Sequence, residues 1–169
     1  MSAPRQVIPN VSVMSTRRTT RRHFLLRPDA DGVSQNIFLY CLAWAARKFG
    51  IQVHAVVVMS THWHVILTDP QGVLPRFHEE FHRHLANAMK NHRGWPAELL
   101  DKRQTSVVEL LCPAAILDKI AYAIANPVDC GAVPSARQWP GVIVMPDEVG
   151  NKTFHATRPE VYFDPKSPL

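Results

Sequence analysis

Residues 56–68 read VVVMSTHWHVILT, from Val56 to Thr68. Two β-branched runs flank Ser60-Thr61, the signature of a hairpin with a tight connection. Along a strand, side chains alternate between faces, so His62 and His64 share one face while Trp63 turns to the other. The spacing therefore predicts a core-facing tryptophan and two imidazoles side by side, within reach of one metal ion. A His-x-His pair also fits the solvated face of a half-buried strand, and the hairpin alone does not separate the two readings.

Working outward, residues 11–27 alternate like a strand up to Arg27-Pro28. Ser34 is placed to cap a helix whose apolar face carries Ile37, Tyr40, Cys41, Trp44 and Ala45, with Gly50 as its stop. After the hairpin, Pro75 opens a second helix with a buried stripe of Phe77, Phe81, Leu85 and Ala88, and NHRGWP ends it. A short strand, SVVELL at 106–111, leads to a third helix from Pro113, expected to stop at Asn126-Pro127. The order β-α-β-β-α-β-α predicts an α+β fold of ferredoxin-like type, an antiparallel sheet with helices packed on one face. Residues 1–140 form the expected domain. Residues 141–169, rich in proline, read as an irregular C-terminal extension lying on its surface.

The chain has 169 residues, 46% of them hydrophobic, enough for a core without staples. Its charge is +5 with a pI near 9.4, and the excess is unevenly placed. Arg5, Arg17, Arg18, Arg21, Arg22 and Arg27 precede the first acid, Asp29. Such a start also suits a targeting presequence, but here it runs directly into strand-like alternation. Cys41, Cys112 and Cys130 form no CxxC pair and read as small buried residues of a reducing compartment. No apolar run approaches the roughly 20 residues of a membrane span, so the expected setting is cytoplasmic, without membrane contact.

In the third helix, PAAILDKIAYAIAN, a 100° projection gathers Ile116, Leu117, Ile120 and Ile124 on one side and Asp118, Tyr122 and Asn126 on the other. Tyr122 is then a surface residue or a functional one. Asn126, one turn later, points the same way and offers an amide oxygen, although Asn before Pro is also ordinary stop chemistry. His-hydrophobic-His on a hairpin strand, preceded by VHAVVVMS and followed by YAIANPVDCG, resembles the single-tyrosine HUH transposases, specifically the REP-associated group, over roughly residues 11–142. The resemblance implies that His62 and His64 bind a divalent metal, Mg²⁺ or Mn²⁺, with Asn126 at the third ligand position. It implies that Tyr122 is the nucleophile of a single-stranded DNA endonuclease and strand transferase working through a 5′-phosphotyrosine. Single-stranded or hairpin DNA is then the partner, with Arg17, Arg18, Arg21, Arg22 and Arg27 as phosphate contacts, and a homodimer is the protein assembly the reading admits. Two features depart from the pattern: Asp129 stands where a basic residue is common, and longer relatives continue past RPEVYF.

Two rival readings remain. His78-Glu79-Glu80-Phe81-His82 matches HExxH, the zinc metalloprotease motif, without a downstream third ligand. A domesticated nucleic-acid-binding protein without cleavage activity would keep the fold alone.

Overall fold

The computed structural model describes residues 6–163; expectations that touch residues 1–5 and 164–169 lie outside them. Seven main elements follow in the expected order: β1 (Ser12–Arg18), α1 (Val33–Phe49), β2 (Gln52–Val58), β3 (His62–Thr68), α2 (Leu74–Arg93), β4 (Ser106–Leu110) and α3 (Pro113–Asp129). The strands form one sheet in the order β2-β3-β1-β4, and β1·β3, β1·β4 and β2·β3 are all antiparallel. This α+β sheet is the ferredoxin-like arrangement.

Alternation along the strands sorts the sheet's side chains between two separate apolar clusters. Val13, Trp63, Val65 and Leu67 meet Ile37, Phe38, Cys41, Phe77, Phe81 and Leu85 from α1 and α2. Met14, Val57 and Ile66 meet Ile120, Ala123 and Ile124 from α3. Helices on one face therefore describes α1 and α2, while α3 crosses the opposite face. That opposite face carries His62 and His64. Trp63 has no exposure and lies edge-on to Phe38 and Phe81, at 5.6 Å from each. Burying a side chain of this size contributes on the order of 2–3 kcal/mol, which fixes the register of β3 and with it the outward direction of its histidines.

Several local expectations are corrected. The first strand ends at Arg18, not Arg27, because Arg21 and Arg22 take left-handed backbone (φ 47 and 57). Residues 19–27 are a loop at the hairpin end of the sheet. The α1 N-terminus is not capped by Ser34, whose hydroxyl donates to the Arg27 carbonyl; carboxylates of Asp31 and Asp29 accept from the Val33 and Ser34 amides instead. In α3, Pro127 lies inside the helix, which continues one turn to Asp129. Leu117, expected to be buried, is exposed, and only Cys41 of the three cysteines is buried. Beyond residue 140, Val142–Val144 are buried and run against the free edge of β2: the Val58 amide donates to the Val142 carbonyl and the Val144 amide to the Val56 carbonyl. That segment blunts an edge that would otherwise invite pairing with another chain. Among the described residues no helix is long and apolar enough to cross a membrane.

Candidate active site

The exposed end of β3 and the C-terminal half of α3 meet over the sheet. His62 and His64 lie with ring centroids 5.0 Å apart, nearly perpendicular. Asn126 reaches down from α3 and places Oδ1 3.3 Å from His62 Nε2. Its amide nitrogen donates back to the Tyr122 carbonyl at 3.3 Å, which turns the oxygen toward the imidazoles. Tyr122, half exposed, sets its ring edge-on to His64 with centroids 5.5 Å apart. Two pairs of residues from distant parts of the chain thus converge.

The other ring nitrogens are tied. Thr16 is the cross-strand partner of His64 on β1, and its Oγ1 lies 2.8 Å from His64 Nδ1. Thr61 Oγ1 lies 3.0 Å from His62 Nδ1. His64 Nε2 is buried with no protein hydrogen-bond partner, a costly state for a polar atom unless something else satisfies it. Burial first, then His62 and Arg18, push the His64 pKa down to about 4. Burial also lowers the His62 pKa, with Asn126 opposing and Arg18 and Arg22 adding to the shift. Both rings are therefore neutral at physiological pH, the form in which a ring nitrogen can ligate a metal.

This donor set fits a divalent cation. When Nδ1 of each imidazole carries the proton, both Nε2 lone pairs and the Asn126 oxygen face a common space. Two ligands roughly 2.1 Å from one ion and at right angles lie about 3 Å apart, close to the observed His62–Asn126 spacing. Among the described residues no group of three or more His, Cys, Asp or Glu side chains could hold a metal; two imidazoles and an amide form a different, mixed set that leaves positions open.

The arginines divide. Arg18, paired across the strands with His62, and Arg22 both lie near enough to act on the imidazoles. Arg21 and Arg27 are exposed in the loop after β1. Arg17 takes the opposite face, where its guanidinium donates to the carbonyls of Asp101, at 2.7 Å, and Arg103. It is bound into the 101–103 loop and does not join the histidines. The HExxH pair lies on that same far side. His78 Nε2 is 2.9 Å from Ser15 Oγ and its ring stacks on His82, but Glu79 is exposed and no third ligand joins them among the described residues, so a zinc protease centre is not formed. Sequence reasoning missed Thr16, Thr61 and Lys119, whose Nζ lies 5.5 Å over the Tyr122 ring. Thr16 has no sequence signal of its own, because its role depends on the β1·β3 register.

No family model and no curated protein matches the sequence. The structure is similar to that of a REP-associated tyrosine transposase bound to a REP hairpin, with a TM-score of 0.68 at 18% identity over 83% of this chain and 81% of that one. The fold is that of a REP-associated tyrosine transposase. A Deinococcus radiodurans protein provisionally called a transposase aligns with a TM-score of 0.49 at 22% identity, over 75% of this chain and 97% of that one.

Proposed function

We propose that the chain is a single-tyrosine HUH transposase of the REP-associated group, a DNA endonuclease and strand transferase acting on single-stranded or hairpin DNA. The observation that carries the reading is the convergence of His62, His64 and Asn126 on one space with Tyr122 at its rim. The transposase that shares the fold is itself bound to a hairpin of DNA.

In this reading His62, His64 and Asn126 hold a divalent ion, Mg²⁺ or Mn²⁺, which supplies a Lewis acid that polarises the scissile phosphate. Thr16 and Thr61 keep the imidazoles in the tautomer with Nε2 free. The phenolic oxygen of Tyr122 attacks phosphorus, the P–O3′ bond breaks, and the 3′ oxygen leaves with a proton as a free hydroxyl. Tyr122 stays esterified to the 5′ phosphate. One phosphate ester has replaced another, so a 3′ hydroxyl can reverse the step without an external energy source, joining strands as well as cutting them. Half exposure suits Tyr122 to this work: the helix carries the residue and about half of its surface is open to a strand. Arg18, Arg21, Arg22 and Arg27 supply positive charge beside the site, and the sequence offers no acid between them.

The test is incubation with single-stranded and hairpin oligonucleotides plus Mn²⁺ or Mg²⁺, followed by denaturing electrophoresis. A covalent protein–DNA band is expected, dependent on metal and lost in Tyr122→Phe. An adduct that survives Tyr122→Phe would remove the nucleophile assignment. Tight DNA binding with no adduct under any metal would favour a binding protein that no longer cuts.

A further inference from the structure

The loop after β1 carries a feature the cleavage chemistry does not use. Phe24 is 64% exposed, although its neighbours Leu25 and Leu26 are buried at 6% and 3%. Of three consecutive apolar residues, the aromatic one is turned outward. The loop is not loose: the Leu26 amide donates to the Ser60 carbonyl at 3.0 Å, the Thr20 amide to the Leu99 carbonyl at 2.8 Å, and His23 packs on Trp95 with ring centroids 4.9 Å apart. Within the same loop, Arg21 and Arg22 have φ of 47 and 57, the one adjacent pair of non-glycine residues with positive φ among the described residues. L side chains seldom adopt this conformation, and where it persists it tends to mark a site. Neither guanidinium is taken up in an ion pair among the described residues, and Arg22 is close enough to act on His62.

An exposed aromatic ring on an anchored loop, flanked by arginines outside any ion pair among the described residues and beside a phosphate-handling site, has the composition of a single-strand platform: the ring stacks a base and the cations hold its phosphates. We propose that Phe24 is a base-stacking residue for an unpaired nucleotide of the DNA strand entering the His62–Tyr122 site, with Arg21 and Arg22 gripping the flanking phosphates. This rests on the DNA-cleaving reading above and adds the element that would distinguish single-stranded from fully paired DNA. Away from its ends a duplex hides its base faces in the stack and offers Phe24 only phosphates.

The experiment compares wild type, Phe24→Ala and Phe24→Trp in binding a fluorescein-labelled single-stranded oligonucleotide and a blunt duplex, by anisotropy, with 2-aminopurine emission as a direct report of stacking. Loss of one stacked base predicts roughly 5- to 150-fold weaker single-strand binding for Phe24→Ala, less than about twofold change for the duplex, loss of the 2-aminopurine response, and recovery of both in Phe24→Trp. Thermal unfolding should be unchanged, because the ring is exposed. Unchanged single-strand affinity in Phe24→Ala, or an equal loss for duplex and single strand, would overturn the platform. The two readings fail separately. A Tyr122-dependent adduct with no Phe24 effect leaves the cleavage reading standing and removes the platform; Phe24-dependent stacking without an adduct does the reverse.

Discussion

Replacing Thr16 by valine is a sharp test of the site, because it deletes one oxygen and keeps the shape of the side chain. Thr16 Oγ1 lies 2.8 Å from His64 Nδ1, on the strand that pairs directly with β3. For His64 Nε2 to face a cation with its lone pair, Nδ1 must carry the proton, and Thr16 is then its acceptor. Without that acceptor the ring gains no preference for the competent tautomer and is free to turn. Outer partners of this kind typically contribute 10- to 100-fold in metal affinity, or about 1.4–2.8 kcal/mol. The folded state should lose less, about 1 kcal/mol for one hydrogen bond, a fall of roughly 2–4 °C in Tm for a chain of this size. Titration calorimetry with Mn²⁺ at neutral pH measures the first and thermal unfolding without metal the second. A variant that binds Mn²⁺ as wild type does, while His64→Ala binds none, would refute the role given to Thr16. A variant destabilised by several kcal/mol would show that Thr16 serves the sheet and not the imidazole.

Other outcomes follow from the same geometry. Asn126→Asp replaces a neutral oxygen donor with an anionic one between the imidazoles, so Mn²⁺ should bind at least about tenfold tighter by calorimetry, and weaker binding would argue that Asn126 is no ligand. Acid should destabilise the metal-free protein early. The folded-state pKa of His64, about 4, is depressed from 6.5, so its contribution is fully present above 6.5 and is lost as pH falls toward 4. The loss amounts to about 3 kcal/mol, visible as a falling urea midpoint; a midpoint flat from pH 7 to 4.5 would contradict the burial of that ring. Gly141→Ala should cost about 1–3 kcal/mol by overpacking, because a Cβ there would press on the Trp139 indole, whose Nε1 donates to the Val58 carbonyl at 2.9 Å. A red shift in tryptophan emission should accompany the loss, and an unchanged Tm would show that the indole moves aside freely.

What the sequence disclosed is what alternation and helical spacing can encode. Period-two alternation placed Trp63 in the core and both histidines on the far face, and both assignments agree with the burial of Trp63 and the pairing of the two rings. The stripe Phe77, Phe81, Leu85 and Ala88 is buried as its spacing requires. The misreadings arise where a tertiary contact outweighs a local preference. Leu117 sits on the apolar side of its helix by projection, yet α3 lies across the sheet so that Ile120, Ala123 and Ile124 make the contact and Leu117 stays exposed. Pro127 does not end α3; it is itself buried, and the helix goes on to Asp129. Arg17 looked equivalent to Arg18 in a basic run, but one residue of register sends it through the sheet to the 101–103 loop. The left-handed pair at Arg21 and Arg22 has no signature at all, since neither residue is one that favours positive φ.

The placement of α3 explains how one small sheet serves both stability and chemistry. α1 and α2 cover one face, packing Phe38 and Phe81 against Trp63, and form a dense core. On the opposite face α3 makes its contact along the line of Ile120, Ala123 and Ile124, against Met14, Val57 and Ile66, and Ile143 and Trp139 of the C-terminal segment join the same cluster. Beyond that line the helix overhangs the end of β3, and the residues one turn apart on its free side, Tyr122 and Asn126, meet His64 and His62 instead of an apolar partner. The buried Nε2 of His64 lies at this boundary, and on the proposed reading a cation would satisfy it from the open side. Shifting α3 along its axis by one residue would rotate the helix by about 100°, carrying Tyr122 away from the imidazoles. The small Ala123 between Ile120 and Ile124, with no exposure, sets how closely the helix approaches the sheet. Enlarging it should therefore reduce adduct formation before it unfolds the protein, since the first thing a lifted helix loses is the convergence at its end.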